Sequence, residues 1–364
     1  MWYNTGATRR LGVRYPIVQG PFGGGLSSPT LAACVSNAGG LGSFGALGMA
    51  PDRIVQVVEQ IRALTDAPFA MNLWVSTEDP AALTSPESTY AAAIEAVSEF
   101  FQELDLEPPR LPVSRWPTFD DQAAALLDAR PPVFSFIFGI PPAMLLDECR
   151  RRGIITMGTA TTTDEAIALE EAGVDLVVAT GAEAGGHRPS FLRAPELSLT
   201  GTFSLVPQVV DAVDIPVVAA GGIADGRGVA AALALGADAV QIGTAFLACE
   251  ESNATPAHRD ALLSHRGRDT MLTRAFTGRL ARGLRNRLAE TLESRSAPVL
   301  PYPLQGQLVG ALREEAFRRN RLDLVALWSG QSAQLLRHRR AAALFQDLVE
   351  TTGRILGPAH PVEA

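Results

Sequence analysis

The sequence predicts an α/β fold, a (β/α)8 TIM barrel with a helical excursion after its eighth strand. Three observations predict it. The 364 residues are 47% hydrophobic, which is enough for one large core. Short apolar runs alternate with helical patterns over the first 250 residues, which is typical of parallel βα units. The last two runs each end in glycine, where barrels of this kind build a phosphate site.

The eight apolar runs match the number of strands that closes such a barrel. Each run is almost continuously apolar, as expected for a strand covered by helices on one face and by packed barrel layers on the other. The predicted strands are residues 16–21, 41–47, 69–75, 133–139, 154–161, 175–182, 216–222 and 239–246. We therefore expect all their carboxyl ends at one mouth of the barrel.

Helical patterns fill the connections, and most end at a glycine suited to a helix C-terminus. The predicted helices between the later strands are residues 163–172, 205–213 and 227–235. The connection between the third and fourth strands is too long for one crossover. It is predicted to hold helices over 90–104 and 119–129, separated by a proline-rich stretch at 107–117, as a peripheral elaboration.

The alternation of strands and helices stops at about residue 251. Residues 251–333 are rich in arginine and helical patterns, so we expect a helical lid that roofs the strand ends and the substrate. A last helix over 334–348 is predicted to complete the barrel, which then comprises residues 1–250 and 334–364. Arg279, Arg282 and Arg285 recur every three residues, which indicates one helix face. The Arg-His-Arg-Arg cluster at 337–340 indicates a solvated helix face.

Charge and composition exclude several classes of function. The formal net charge is −8, so we expect no nucleic-acid partner. No run approaches the ~18 apolar residues of a membrane span, and the chain starts without a signal-peptide core, which predicts a cytoplasmic protein without a membrane partner. The three cysteines lie in no metal-binding or redox spacing. No lysine occurs, which excludes Schiff-base aldolases and pyridoxal-phosphate enzymes.

The chemistry is expected at the carboxyl ends of the strands. Glycines after the seventh and eighth strands let phosphate oxygens approach backbone N–H groups. The histidine after the sixth strand titrates near neutral pH, which suits proton transfer. Neither a carboxylate pair for a glycosidase nor a metal-ligand cluster accompanies it, so no metal site is expected. This pattern suits a large planar cofactor that carries a phosphate. The candidate site residues are Gly20, Pro21, Phe22, Asn72, Thr180, Gly185, His187, Gly221, Gly222, Gln241, Ile242, Gly243 and Thr244.

Eight segments resemble the nitronate monooxygenase family, also called 2-nitropropane dioxygenases, which are FMN-dependent barrels. The combination of EAGGH, AAGGI and QIGT at these spacings is specific, whereas either glycine pair alone would be weak. The matching segments are GPFGGG (20–25), NAGGLGSFGA (37–46), PFAMNLW (68–74), GAEAGGH (181–187), AAGGIADG (219–226), QIGTAFL (241–247), AFTGRLARGLRN (275–286) and LWSGQ (327–331). The resemblance covers almost the whole chain, including the excursion.

The resemblance implies roles for individual residues. The positions that match the family's FMN-phosphate contacts are Gly222, Gly243 and Thr244, and those that match its flavin contacts are Asn72, Gln241 and Gly185. His187 matches the family's proposed catalytic histidine. Thr180 stands where many relatives have glutamine. Ile137 stands where several well-known members carry a second histidine, a departure that bears on which substrate is preferred.

The resemblance also implies an activity, the FMN-dependent oxidation of alkyl nitronates or nitroalkanes by O2 to a carbonyl compound and nitrite. His187 would bind the nitronate or remove the α-proton of a nitroalkane. Three alternatives stay open: an NAD(P)H-dependent FMN reductase of enoyl thioesters or quinones, a non-catalytic flavin- or phosphometabolite-binding module, and a flavin-free phosphate-binding isomerase. A homodimer is compatible with the acidic composition.

Overall fold

A computed structural model describes residues 1–110 and 117–357. Most of the proline-rich stretch at 107–117, and the last seven residues of the predicted barrel segment 334–364, therefore lie outside the described residues. The strands are β1 Ile17–Gln19, β2 Gly42–Gly45, β3 Phe69–Trp74, β4 Val133–Ile137, β5 Ile155–Ala160, β6 Leu176–Thr180, β7 Gly186–His187, β8 Val217–Ala220, β9 Ala239–Ile242, β10 Thr270–Thr273 and β11 Ala281–Leu284.

Sixteen α-helices accompany these strands in the described ranges. They are α1 Gly6–Leu11, α2 Pro29–Asn37, α3 Pro51–Arg62, α4 Pro80–Thr84, α5 Glu87–Glu103, α6 Phe119–Ala129, α7 Ala143–Arg151, α8 Thr163–Glu171, α9 Thr202–Val210, α10 Gly226–Ala234, α11 Thr244–Leu247, α12 Pro256–Leu263, α13 Arg287–Ser294, α14 Leu304–Leu308, α15 Gly310–Arg318 and α16 Ala341–Leu356. Several begin at residues whose side chains accept from the first turn, as Ser28 does before α2 and Thr162 before α8.

The predicted barrel is confirmed. Eight parallel strands form one sheet in the order β1-β9-β8-β6-β5-β4-β3-β2. A parallel bridge between Val18 and Leu41 joins β1 to β2 and closes the ring. All eight predicted strands are present, each trimmed by one to four residues at its ends. Their carboxyl ends therefore meet at one mouth, as the βα alternation predicts.

Alternation of side chains along the strands separates two cores. Inward-facing residues such as Val18, Met157 and Val218 pack inside the barrel. Ala7 and Leu11 of α1 join them and plug the amino-terminal end of the barrel, and the Gly6 N–H donates to Asp238 at 2.8 Å. Outward-facing residues pack against the surrounding helices in a larger cluster. In the part of the chain that the structure describes, α1 thus covers the end of the barrel opposite to the carboxyl ends of its strands.

The predicted excursion after β9 carries four α-helices, α12 to α15, together with two strands that the sequence did not predict. It contributes β10 and β11, which form a small antiparallel sheet with β7. In that sheet Ala281 pairs with His187 and Arg282 with Gly186. The arginines spaced by three thus follow an extended segment, and the helix-face interpretation is wrong. The excursion is fastened to the loop that carries the candidate histidine.

The two ends of the excursion meet at the barrel. The Glu250 N–H donates to the carbonyl oxygen of Arg339 at 2.8 Å, and Arg340 pairs with Glu250 at 3.0 Å. The returning helix, α16, begins at Ala341 rather than at residue 334. The reason is that residues 337–340 form a loop whose arginines reach back to acidic residues after β9 and on α12. The cluster at 337–340 is exposed, but it is not on a helix.

Candidate active site

A cavity of about 670 Å³ opens at the carboxyl ends of the barrel strands and is roofed by the excursion. It brings together every candidate site residue except one. The exception is Ile242, whose side chain packs in the outer core because neighbours on a strand face opposite sides. Gln241 and Gly243, on either side of it, both line the cavity.

The loops after β8 and β9 form the inner end of the cavity. Gly221 and Gly222 have φ of +99° and +73°, a left-handed conformation that side chains with a Cβ rarely adopt. In the described ranges, the backbone N–H groups of Gly222, Ile223, Gly243 and Thr244 have no protein acceptor. Four free donors on two adjacent loops make a cradle that could hold an anionic group such as a phosphate.

Polar side chains face the middle of the cavity from inside the barrel. Asn72 is buried and donates from Nδ2 to Ser135 at 3.0 Å. Its Oδ1, and both amide groups of Gln241, have no partner in the part of the chain that the structure describes. Thr180 is buried at the end of β6 and lines the same wall. These amides could serve a planar ligand that both donates and accepts hydrogen bonds.

The glycine-rich segment after β1 forms the opposite wall. The Gly20 N–H donates to the carbonyl oxygen of Ile242 at 2.9 Å, which continues the pairing of β1 with β9. Ser27 accepts from the Phe22 N–H at 3.0 Å and holds the turn at Pro21 and Phe22 in place. Gly20, Pro21 and Phe22 therefore present mostly backbone and one ring to the cavity.

His187 stands at the outer side of these walls, surrounded by rings. Its centroid lies 4.8 Å from that of Trp74, 5.3 Å from Trp328 and 6.3 Å from Phe138. Nε2 is 2.9 Å from the hydroxyl of Thr277, whereas Nδ1 has no partner among the described residues. The ring is partly exposed toward the cavity and is otherwise enclosed.

Arg279 is the nearest charge to this histidine. Its side chain is buried and pairs with Asp79 at 2.7 Å, and it lies 4.2 Å from the ring of Phe138 and 4.4 Å from that of Tyr302. Burial, and to a smaller extent the positive charge of Arg279, lowers the pKa of His187 from 6.5 to about 3. His187 is therefore a neutral imidazole at pH 7, and the expectation that it titrates near neutral pH is wrong because burial disfavours its charged form.

Two charged residues beside the histidine have structural roles. Glu183, the one acid in the loop before His187, accepts from the Thr202 N–H and hydroxyl at 2.9 Å and thereby fixes the start of α9. Arg188 is almost fully buried and donates to the carbonyl oxygens of Thr180, Gly181 and Ser198 at 2.6–3.1 Å. Together they hold the loop that presents His187.

Sequence reasoning missed several residues that line or support the site. The excursion supplies Thr277, Arg279 and Tyr302, and β3 supplies Trp74. Trp328, within the matching segment LWSGQ (327–331), also lines the cavity. The segment 275–286 could have pointed to these residues, because it matches the family over twelve residues. The match alone did not indicate which of them contact the site.

Comparison with known proteins identifies the family. A sequence profile of the nitronate monooxygenases matches residues 5–351. A probable nitronate monooxygenase of Staphylococcus saprophyticus is 40% identical over 358 residues, which are 98% of this chain and 99% of the relative. The chain belongs to the nitronate monooxygenase family. It is accordingly an oxidoreductase.

Solved structures support the assignment to the nitronate monooxygenase family. Nitroalkane oxidase from Streptomyces ansochromogenes superposes with a TM-score of 0.88 at 38% identity, over 96% of this chain and 98% of that one. FabK from Thermotoga maritima superposes with a TM-score of 0.75 at 32% identity, over 97% of each chain. The barrel and the excursion are therefore shared architecture.

The structure shows where the residue that departs from the family pattern lies. Ile137, where several members carry a second histidine, lies in the cavity wall against the cluster of Trp74, Phe138 and Tyr302. The position thus carries an apolar side chain beside rings that contact both His187 and Arg279. Within residues 1–110 and 117–357, no group of three or more His, Cys, Asp or Glu could hold a metal ion. No helix in these ranges is long and apolar enough to cross a membrane.

Proposed function

We propose that this chain is an FMN-dependent enzyme that oxidises alkyl nitronates with O2 to carbonyl compounds and nitrite. The observation that carries the proposal is a neutral histidine at one side of a cavity whose inner end is a cradle of free backbone N–H groups. When both atoms of O2 enter the carbonyl products, two nitronate anions and one O2 give two carbonyl compounds and two nitrite ions. Atoms and charge then balance.

The cavity residues fit FMN. The N–H groups of Gly222, Ile223, Gly243 and Thr244 would donate to its phosphate, because no protein group competes for them. The free Oδ1 of Asn72 and the free amide groups of Gln241 would meet the polar edge of its ring, and Gly20, Pro21, Phe22, Thr180, Gly185 and Gly221 would complete the walls around it. Ile242, predicted as a cofactor contact, instead packs in the outer core. When bound, FMN supplies the electron transfer that no side chain of this site can supply.

His187 would act as the base toward neutral nitroalkanes. The Thr277 hydroxyl donates to the carbonyl oxygen of Arg279 at 3.2 Å, so it accepts a hydrogen bond from Nε2–H of His187. Nδ1 then carries the free lone pair and would take the α-proton. The nitronate formed in this way is an anion beside the new imidazolium, which favours the transferred position of the proton.

We also propose that residues 251–333 act as a lid on the barrel of residues 1–250 and 334–364. Trp328, Ser329 and Gly330 of this segment line the cavity, and the Gly330 N–H donates to Thr244 at 2.9 Å. The lid thus contacts both the candidate phosphate loop and the histidine. It would keep water from the bound nitronate and from O2 chemistry.

An anaerobic visible spectrum of the purified protein tests the function. We expect the absorbance of bound flavin to bleach when ethylnitronate is added alone, and nitrite and acetaldehyde to form once O2 is admitted. The His187→Asn variant should keep its flavin and lose about 10²- to 10⁴-fold in turnover of nitroethane.

The same experiment separates the rival functions. Bleaching by NADH or NADPH, without bleaching by ethylnitronate, would make the chain a reductase. Bound flavin with no response to either would indicate a binding module. A protein that neither contains nor takes up FMN would overturn the proposed function and favour a flavin-free isomerase.

A further inference from the structure

Beyond His187 the cavity is lined by the excursion, and we call this part the outer chamber. Its apolar lining consists of Phe276, Gly306, Val309, Gly310, Phe317 and Leu324, and Gln307, Arg313 and Glu314 line it as well. The proposed chemistry of a small nitronate uses none of them.

The outer chamber begins one ring beyond the histidine. The centroid of Trp328 lies 5.3 Å from that of His187, and the centroid of Phe276 lies 6.0 Å from that of Trp328. Gly306 in turn faces the backbone of Phe276 and Thr277. A substrate held at His187 by its polar end would therefore have its other end directed along these residues.

One glycine leaves the chamber open. A Cβ added at Gly310 would meet nothing within 4 Å, whereas one at Gly306 would already contact the backbone of Phe276 at 3.7 Å. Gly310 and Phe317 lie two helical turns apart on α15, so this wall is about 10 Å long. The chamber is therefore elongated along α15.

The chamber is open to the protein surface. Arg313 and Glu314 lie between Gly310 and Phe317 on the same face of α15, line the chamber as well and are exposed. Val309 and Leu324, farther in, are buried. Because both charged side chains are exposed and the buried part of the lining is apolar, the chamber suits an unbranched hydrocarbon chain, and each CH2 moved out of water lowers the free energy.

We propose that the outer chamber binds the hydrocarbon chain of the substrate, so that this enzyme prefers nitronates with an extended alkyl chain to ethylnitronate. The inference deepens the proposed function and rests on it for the nature of the reacting group. The chain site itself is defined by the excursion and not by the cradle that would hold the cofactor.

A chain-length series tests the preference. We expect kcat/KM to rise from the nitronate of nitroethane through those of nitrobutane and nitrohexane to that of nitrooctane, by up to about four-fold per added methylene. The Gly310→Leu variant should lower the ratio of kcat/KM for the nitrooctane and nitroethane nitronates at least ten-fold. Arg318→Leu places the same side chain on an exposed face of α15 and should keep the wild-type ratio.

Calorimetric titration with octanoate and acetate gives a readout that needs no turnover. We expect octanoate to bind more tightly than acetate, and Gly310→Leu to abolish the difference. Oxidation of ethylnitronate without any gain from longer chains would overturn the inference and leave the proposed function standing. Tighter binding of octanoate that is sensitive to Gly310→Leu, in a protein inert toward every nitronate, would support the chamber and reject the function.

Discussion

Replacement of Thr277 by valine removes one hydroxyl from the site while nearly preserving the volume of the side chain. That hydroxyl lies 2.9 Å from Nε2 of His187 and 3.2 Å from the carbonyl oxygen of Arg279. Without it, the ring N–H has no acceptor among the surrounding aromatic rings, and the other tautomer becomes competitive. A buried polar group without a partner costs about 1–3 kcal/mol. Because about 1.36 kcal/mol corresponds to a factor of ten in rate, the expected loss is roughly 5- to 150-fold in rate.

The assay compares two substrates of the same carbon skeleton, nitroethane and preformed ethylnitronate, by the release of nitrite. We expect Thr277→Val to lose kcat/KM mainly on nitroethane, because only nitroethane has an α-proton for Nδ1 of His187 to remove. Thr277→Ser keeps the hydroxyl and should remain close to the wild type. Equal losses on both substrates would refute the reasoning, since the hydroxyl would then serve binding or folding and not the tautomer.

Two further changes probe the cradle and the pH dependence of stability. We expect Gly222→Ala to be purified with little FMN, because φ of +73° costs a residue with a Cβ about 1–2 kcal/mol and disfavours the backbone conformation that forms the cradle; a full complement of flavin per chain would contradict this. Burial lowers the pKa of His258 from 6.5 to about 4. Because the folded-state pKa is the lower one, the stabilisation, up to about 3 kcal/mol, is complete above pH 6.5 and is lost as the pH falls toward 4. Urea titrations at pH 7 and pH 5 should show a smaller loss for His258→Gln than for the wild type, and equal losses would disprove the assignment.

The barrel could be predicted from the sequence because its strands are buried on both faces and read as continuous apolar runs. The strands of the excursion could not be predicted from the sequence. Each of β10 and β11 has four residues, and Arg282 within β11 is buried. That guanidinium donates to the carbonyl oxygen of Ala182 at 3.0 Å, a partner from a distant part of the chain. The spacing of three residues between the arginines therefore suggested a helix, because the local sequence does not reveal that Arg282 contacts Ala182.

Part of the candidate site could likewise be predicted from the sequence, and part of it could not. His187 and the glycines at 221, 222 and 243 were predictable because each follows a strand of the barrel, and the barrel rule places all such positions at one mouth. Thr277 and Arg279 reach His187 only because β11 pairs with β7. That contact depends on how the excursion packs, which neither composition nor spacing specifies. The direction of the pKa shift of His187 follows from the same packing.

The meeting of Glu250 and Arg339 at the barrel has a consequence for how such enzymes can diversify. A segment whose two ends are already held side by side can be exchanged as a cassette without reopening the barrel. Chimeras that graft the excursion of one relative onto the barrel of another should therefore fold, provided that the pairing of β11 with β7 is kept. In such chimeras the protein that supplies the excursion would determine the range of accepted chain lengths, and the protein that supplies the barrel would determine the cradle.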